Sequence, residues 1–389
     1  MNPIPRAIAP LLAGLLLAAS SSLAQNAAPD DAKSREWLAQ WQQYITNDSR
    51  NRYCDKESGG ELAWLMGPFM EGFYYGYLAT GDPHWVDMFV DWTDSWVKRG
   101  AKEPDGFIGW PKLKAAGTDV DHLDDFNADS LLGEAVVLRP VVLMSREILR
   151  TPALMQRYGA KAASYIQLAG QIYEKWDRRG AWRATKDGGV ITVVLPFGID
   201  ANTGDWTDGY ASRNSPHAGF SHPDNQANLV ARWLLAMSDV TNNPASQAYK
   251  ERAEKWFRVM KSRMTLQDNG TYQIWNYWQP GGEWDYQPNG SPKHWIGVHP
   301  NGGYYDIDVA AIADAYEHGV VFTRQDMDRL IATALAEKRD WQGLLPYSPE
   351  IRNRFESSFK AGSWSGLATT PWYLYLRKMA YKSSFGAHP

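Results

Sequence analysis

The segment Trp295-Ile296-Gly297-Val298-His299-Pro300-Asn301-Gly302-Gly303-Tyr304-Tyr305-Asp306 sets a histidine, an asparagine and two tyrosine hydroxyls in a glycine-rich stretch. It runs directly into the helical pattern Val309 to Tyr316. Such a loop aims side chains at solvent while the helix fixes their position. Two further polar clusters stand before helical stretches: Asp119 to Asp129, with His122, Asp124, Asp125 and Asn127, and Arg213 to Asn225, with His217, His222 and Asp224. Five of the eight histidines, His122, His217, His222, His294 and His299, lie in or beside the three clusters.

Each cluster also has a purely structural reading. Asp124, Asp125 and Asp224 sit where a helix N-terminus favours a cap and negative charge, and the Gly302-Gly303 stretch reads as a tight turn with a cap. His84 and His318 fall at helix ends and are assigned structural roles. His217 and His222 are five apart with Asp224 nearby, which raises a metal site, but the spacing matches no zinc signature. The sequence implies no cofactor. No nucleophile elbow, P-loop or dinucleotide fingerprint follows a strand.

Two glycan chemistries fit. A hydrolase needs two carboxylates across a cleft, one kept protonated, which Asp125 with Asp306 or Asp308 would supply. A lyase acting on a uronic-acid polymer removes the C5 proton and expels the C4 oxygen. That step needs the neighbouring carboxylate neutralised by Asn, His or Arg and a Tyr or His as base and acid. Tyr304, Tyr305, His299, His217, His222, Asn225 and Arg213 form the second toolkit.

Composition supports a glycan. The chain has 19 Trp and 20 Tyr, 13% aromatic residues in all, and aromatic faces stack on the apolar faces of sugar rings. The tryptophans in polar, glycine-rich loops are the relevant ones: Trp206, Trp275, Trp278, Trp284, Trp295 and Trp364. Of these Trp206 and Trp295, with Lys293, are taken as substrate contacts. A net charge of -4 with mixed signs gives no reason to expect nucleic acid or an anionic membrane. Arg6, the apolar run Ala7 to Ala19 and Ser22-Leu23-Ala24 read as a signal peptide over residues 1–24. The expectation is an exported, periplasmic or secreted protein, with residues 25–389 as a single domain. Cys54 is the only cysteine, so stability must come from a core.

The elements that must hold these clusters are helices, roughly ten or eleven by periodicity. They pair through the short turns Gly81-Asp82-Pro83, Thr151-Pro152, Asn242-Asn243-Pro244 and Thr323. First members such as Leu131 to Met144 are apolar all round, and second members such as Ala245 to Met264 are amphipathic, which predicts an inner and an outer layer. Long connections, Gly100 to Asn127, Asp177 to His222, Thr265 to Tyr304 and Trp341 to Ser363, alternate with the turns. The expected fold is all-α, an (α/α) toroid of six or seven helical hairpins, the long loops walling one mouth. Small β insertions are expected at Val190 to Leu195 and Thr271 to Trp278.

The stretch Asn301-Gly302-Gly303-Tyr304-Tyr305-Asp306, running into Val309-Ala310-Ala311, resembles the Asn-His-Gly-x-aromatic-Tyr-Asp segment of toroidal alginate lyases. The layout is similar to the alginate and glucuronan lyases of polysaccharide lyase family 38. The resemblance implies a helical toroid that uses Tyr305, or Tyr304 in its place, as base and acid. It further implies that Asn and His neighbours, Asn225, Asn301, His222 and His299 among them, neutralise the carboxylate of an acidic polysaccharide. Gly302 stands where the family pattern has its histidine, so His299 or a histidine of the second cluster must substitute.

Overall fold

The computed structural model describes residues 31–112, 128–200, 203–208, 219–299 and 302–383. The expected signal peptide over residues 1–24, His122, Asp125, Asn127, Arg213, His217 and Asn301 therefore lie outside the described residues. The described residues hold eleven α-helices: α1 (Ala32–Asp48), α2 (Gly67–Thr80), α3 (His84–Lys98), α4 (Leu131–Arg150), α5 (Pro152–Arg178), α6 (Asp224–Ser238), α7 (Ser246–Ser262), α8 (Gly303–Glu317), α9 (Arg324–Ala336), α10 (Pro349–Ser358) and α11 (Gly366–Ser383).

Burial sorts them into two layers. In α4, 14 of 20 residues are buried and in α6, 12 of 15, on every side of the helix. Their partners α5 and α7 bury 8 of 27 and 6 of 17, as one apolar stripe. A helix apolar all round must be enclosed, whereas a striped one faces water. The inner helices are α2, α4, α6, α8 and α11. A 3₁₀ turn at Gln342–Leu344 packs beside α8, and α1 and α10 complete the outer layer. Trp37 of α1 meets Phe355 of α10 and Tyr373 of α11 at ring-centroid distances of 6.1 and 5.8 Å. The ring closes where α2 meets α11, at Gly72, whose added Cβ would stand 2.7 Å from the Leu367 carbonyl oxygen.

Side-chain pairs between inner helices advance together: Asn228 with Asp308 at 2.8 Å, then Arg232 with Asp314 at 2.7 Å. Helices α6 and α8 thus run parallel, each starting after a long connection. The fold is an (α/α) toroid, as the pairing of short and long connections requires.

Local expectations fared unevenly. The connection Trp341 to Ser363 contains α10, which starts at the Ser348 cap and Pro349. Strands are shorter than the composition suggested: Gly188–Ile191 pairs antiparallel with Trp182–Thr185, and Tyr272–Gln273 pairs with Thr265–Leu266. Beyond Ile191 the chain turns so that Val193 and Leu195 can pack with Phe220 and Trp278 in a small separate cluster. Among the described residues no helix is long and apolar enough to cross a membrane.

Candidate active site

Helix α6 starts at a fixed point because the strand before it is pinned. The His222 backbone N–H donates to the Ile191 carbonyl at 2.9 Å, and the Asp224 N–H donates to the Tyr277 carbonyl at 3.0 Å. Asp285 tightens this further by accepting from the Ser221 N–H at 2.6 Å, the Ser221 hydroxyl at 2.8 Å and the Gly281 N–H at 2.6 Å. A short-range carboxylate with three donors is a strong anchor, and it ties the third loop to the second cluster.

The first turn of α6 presents Asp224, Asn225 and, just before it, His222, all buried. Arg263 from the end of α7 donates to one Asp224 oxygen and to the Gln279 carbonyl at 3.1 Å. The other Asp224 oxygen and the Asn225 side-chain oxygen are buried without a hydrogen-bond partner among the described residues. Burial pushes the Asp224 carboxyl up to about 6 against the opposing pull of Arg263. His222 is pushed down to about 4 by burial, so it is neutral at pH 7. Its Nδ1 lies 2.8 Å from the Gln226 Oε1. An amide oxygen can only accept, so Nδ1 carries the proton and Nε2 is left as an acceptor. His222 as placed cannot donate to a substrate carboxylate through Nε2.

The neighbouring helix α8 brings the tyrosines. Its N-cap position is Gly302, which has no side chain to cap the first turn. Tyr305 is buried, its hydroxyl accepting the His299 backbone N–H at 2.9 Å and its ring edge-on to Trp275 at 5.7 Å. Burial raises its pKa, and the nearby Asp308 and Asp224 charges push the same way. Tyr304 is half-buried, its ring 4.3 Å from His299 and 5.5 Å from Tyr277. Tyr277 also touches the His299 ring at 4.6 Å and the His294 ring at 5.9 Å. The α6 start, the segment at Tyr277 and the α8 start are thus linked through Tyr277.

Two carboxyls on α8 are held neutral-leaning. Asp308, fully enclosed, accepts from Asn228 and from the Trp275 indole at 2.8 Å each. Burial, reinforced by the Asp224 charge, pushes it up to about 8. Asp306 accepts the Gln342 N–H at 2.6 Å, and burial pushes it up to about 7. A carboxyl near neutrality is the form in which it can donate a proton.

Several expected substrate contacts are placed elsewhere. Trp275 and Trp278 are buried and use their indole N–H groups inside the protein, on Asp308 and on the Ser221 carbonyl at 2.8 Å, so neither can stack on a sugar. Trp284 is partly buried and donates to the Ser221 hydroxyl at 3.1 Å. Trp295, 49% exposed, retains an open face beside His299, and Trp364 stands 37% exposed against Tyr53 and Phe69. Trp206 belongs to the hairpin Phe197–Ile199 with Trp206–Asp208, and Lys293 is half-buried, its backbone N–H donating to the Asp285 carbonyl at 2.8 Å. Tyr277, Asp285 and Arg263 were missed, since each acts through contacts with residues distant in sequence. Among the described residues no three His, Cys, Asp or Glu side chains gather as metal ligands, and His217 is outside them.

No family model matches the chain, and no curated protein matches it. Solved structures do. An inactive variant of the alpha-1,6-mannanase GH76A of Salegentibacter sp. HEL1_6, in complex with alpha-1,6-mannotriose, is similar at 11% identity and a TM-score of 0.49, over 90% of this chain and 99% of that one. A polysaccharide lyase is similar at 9% identity and a TM-score of 0.36, over 92% and 100% of the two chains. A glycosyl hydrolase family 88 protein from Bacteroides vulgatus is similar at 8% identity and a TM-score of 0.37, over 90% and 99%.

Proposed function

We propose that the chain is an exported enzyme that degrades a polysaccharide, and that it cleaves a uronic-acid polymer of the glucuronan or alginate type by β-elimination at the long-connection mouth. The observation that carries this reading is the packing of Tyr304 and His299 at the start of α8 against Tyr277, whose backbone carbonyl receives the Asp224 N–H at the start of α6. Tyr304, half-buried and beside the His299 ring, is the base and acid. Tyr305, whose hydroxyl is enclosed and already engaged by the His299 N–H, positions the loop.

In the reaction Tyr304, entering as the phenolate, takes the C5 proton and the C–H electrons pass onto the uronate carboxylate; their return forms the C4–C5 double bond as the C4–O4 bond breaks with its electrons on O4. The proton then passes from Tyr304 to O4. The intermediate places a second negative charge on the uronate carboxylate. Asn225, buried in the first turn of α6, is one neutralising group, and Arg213 is the cationic one. The His222 Nε2 fits an acceptor role toward a sugar hydroxyl.

A hydrolase is the second reading, favoured by the Asp306 carboxyl near neutrality, with Asp125 as the second carboxylate. Incubation with glucuronan and alginate decides between them. Elimination yields an unsaturated product absorbing near ~235 nm, as the chemistry of the double bond requires. New reducing ends without that absorbance would establish hydrolysis, and neither signal would end both readings for these polymers.

A further inference from the structure

One cavity lies away from the tyrosine cluster. It encloses about 1150 Å³ and follows the axis-facing stripe of α8 from Ala310 past Asp314 to Glu317 and the short turn at Gly319. None of the described candidate catalytic residues, Tyr304, Tyr305, His222, His299 and Asn225, lines it. Gln342 and Thr369 close its inner end, the Thr369 hydroxyl donating to the Gln342 side chain at 2.8 Å, while the Gln342 N–H is taken by Asp306. That chain of contacts separates the cavity from the site described above.

The axis of a helical ring is ordinarily filled by side chains, because protein interiors pack like organic crystals. Here the axis-facing positions Ala310, Ala313 and Ala368 are too small to fill it. The space is at the upper end of what ligand pockets occupy, about 300–1,000 Å³. Its polar groups are already organised. Arg139 bridges Glu71 and Asp314, the second at 3.1 Å, and Arg232 reaches the same Asp314 at 2.7 Å. Within this network two carboxylates, Glu71 and Asp314, balance two guanidinium groups, Arg139 and Arg232; of the other charged residues lining the cavity, Arg324 pairs with Asp328 and Glu317 accepts from the Tyr347 hydroxyl, so no cation is left to select an anionic ligand. What remains is a rigid set of donors and acceptors deep in the cavity. Trp372, Tyr316 and Tyr347, all half-buried, line the same space, with Tyr316 edge-on to Tyr347 at 5.8 Å. Aromatic faces beside fixed polar groups match a molecule with apolar ring faces and hydroxyl edges.

We propose that the short-turn end of the toroid axis is a second binding site, for a short neutral saccharide, separate from the long-connection mouth. It stands whether that mouth eliminates or hydrolyses.

The test is calorimetric titration with cellotriose, β-1,4-mannotriose and a saturated β-1,4-triglucuronate. At least one neutral trisaccharide binds the wild type and Tyr304→Phe equally, and loses at least about tenfold in affinity in Trp372→Ala and in Tyr316→Ala. Circular dichroism checks that both variants fold, and a crystal of the wild type with the bound sugar locates it without any substitution. The proposal is overturned if no neutral probe binds, if the triglucuronate binds better, if both variants bind like wild type, or if the sugar sits only beside Tyr304.

Discussion

The Tyr305 hydroxyl lies 2.9 Å from the His299 backbone nitrogen and accepts its N–H across the loop that starts α8. That bond gives the two adjacent tyrosines different tasks: Tyr305 holds the loop, and Tyr304 stands against the His299 ring. Replacing Tyr304 with Phe is expected to lower kcat by at least about 100-fold, the scale of general acid–base catalysis, with an unchanged melting temperature. Tyr305→Phe is expected to cost about 1 kcal/mol of stability and a smaller loss of kcat. Steady-state kinetics with thermal melts on both variants check this, and an inactive Tyr305→Phe beside an active Tyr304→Phe would exchange the roles.

Asp306 and Asp308 predict how stability follows pH. Neither has a basic group at hydrogen-bond distance, and burial holds their carboxyls up to about 7 and about 8. In the unfolded chain both titrate near 3.8. Between those limits the native state keeps protons that the unfolded state has released, so rising pH favours unfolding. Their contribution is fully present below the unfolded value and lost as pH rises through about 7 to 8. The melting temperature is expected to fall between about pH 5 and about pH 8.5, and to fall less in Asp308→Asn, whose amide needs no proton. Melting curves at intervals across that range measure it; a slope unchanged in the variant would remove Asp308 as its source.

How far this was legible in sequence depends on the range of the contact concerned. The inner and outer helices were legible because 3.6-residue periodicity is local, and the turn at Thr151-Pro152 carries its own stop and start. The α10 helix was not, being short and set in a connection rich in turn residues. The convergence of the α6 and α8 starts followed from the alternation of loop lengths. The division of labour between Tyr304 and Tyr305 did not, because it rests on one backbone contact with His299. Trp275 and Trp278 were taken for exposed stacking residues on loop composition, yet their indoles serve Asp308 and Ser221. Such partners lie tens of residues away and leave no periodic trace.

Closure of the ring gives a prediction independent of function. A methyl added at Gly72 would stand 2.7 Å from the Leu367 carbonyl oxygen and 3.1 Å from Ile45. The nearest atom is backbone and cannot rotate away, so α2 and α11 must separate. Gly72→Ala is expected to destabilise the fold by about 1–3 kcal/mol, as overpacking does, despite the better helix propensity of alanine. Urea unfolding would show it as a lower midpoint with an unchanged slope; an equal or higher midpoint would mean that the contact yields freely.

The Asp224–Arg263 pair carries the sharpest energetic expectation, because both side chains are buried and the pair joins the start of α6 to the end of α7. Arg263→Met leaves an enclosed carboxylate without its cation, a loss of about 3–5 kcal/mol. Removing the charge on both sides, with Asp224→Asn added, takes away that penalty, so the double variant is expected to be more stable than Arg263→Met alone. The Gln279 carbonyl still loses its donor, and full recovery is not expected. Denaturant unfolding of the four proteins of the cycle gives the coupling directly. A coupling near zero would mean that Asp224 is held by burial and the strand contact at Tyr277, with Arg263 contributing only its contact to Gln279.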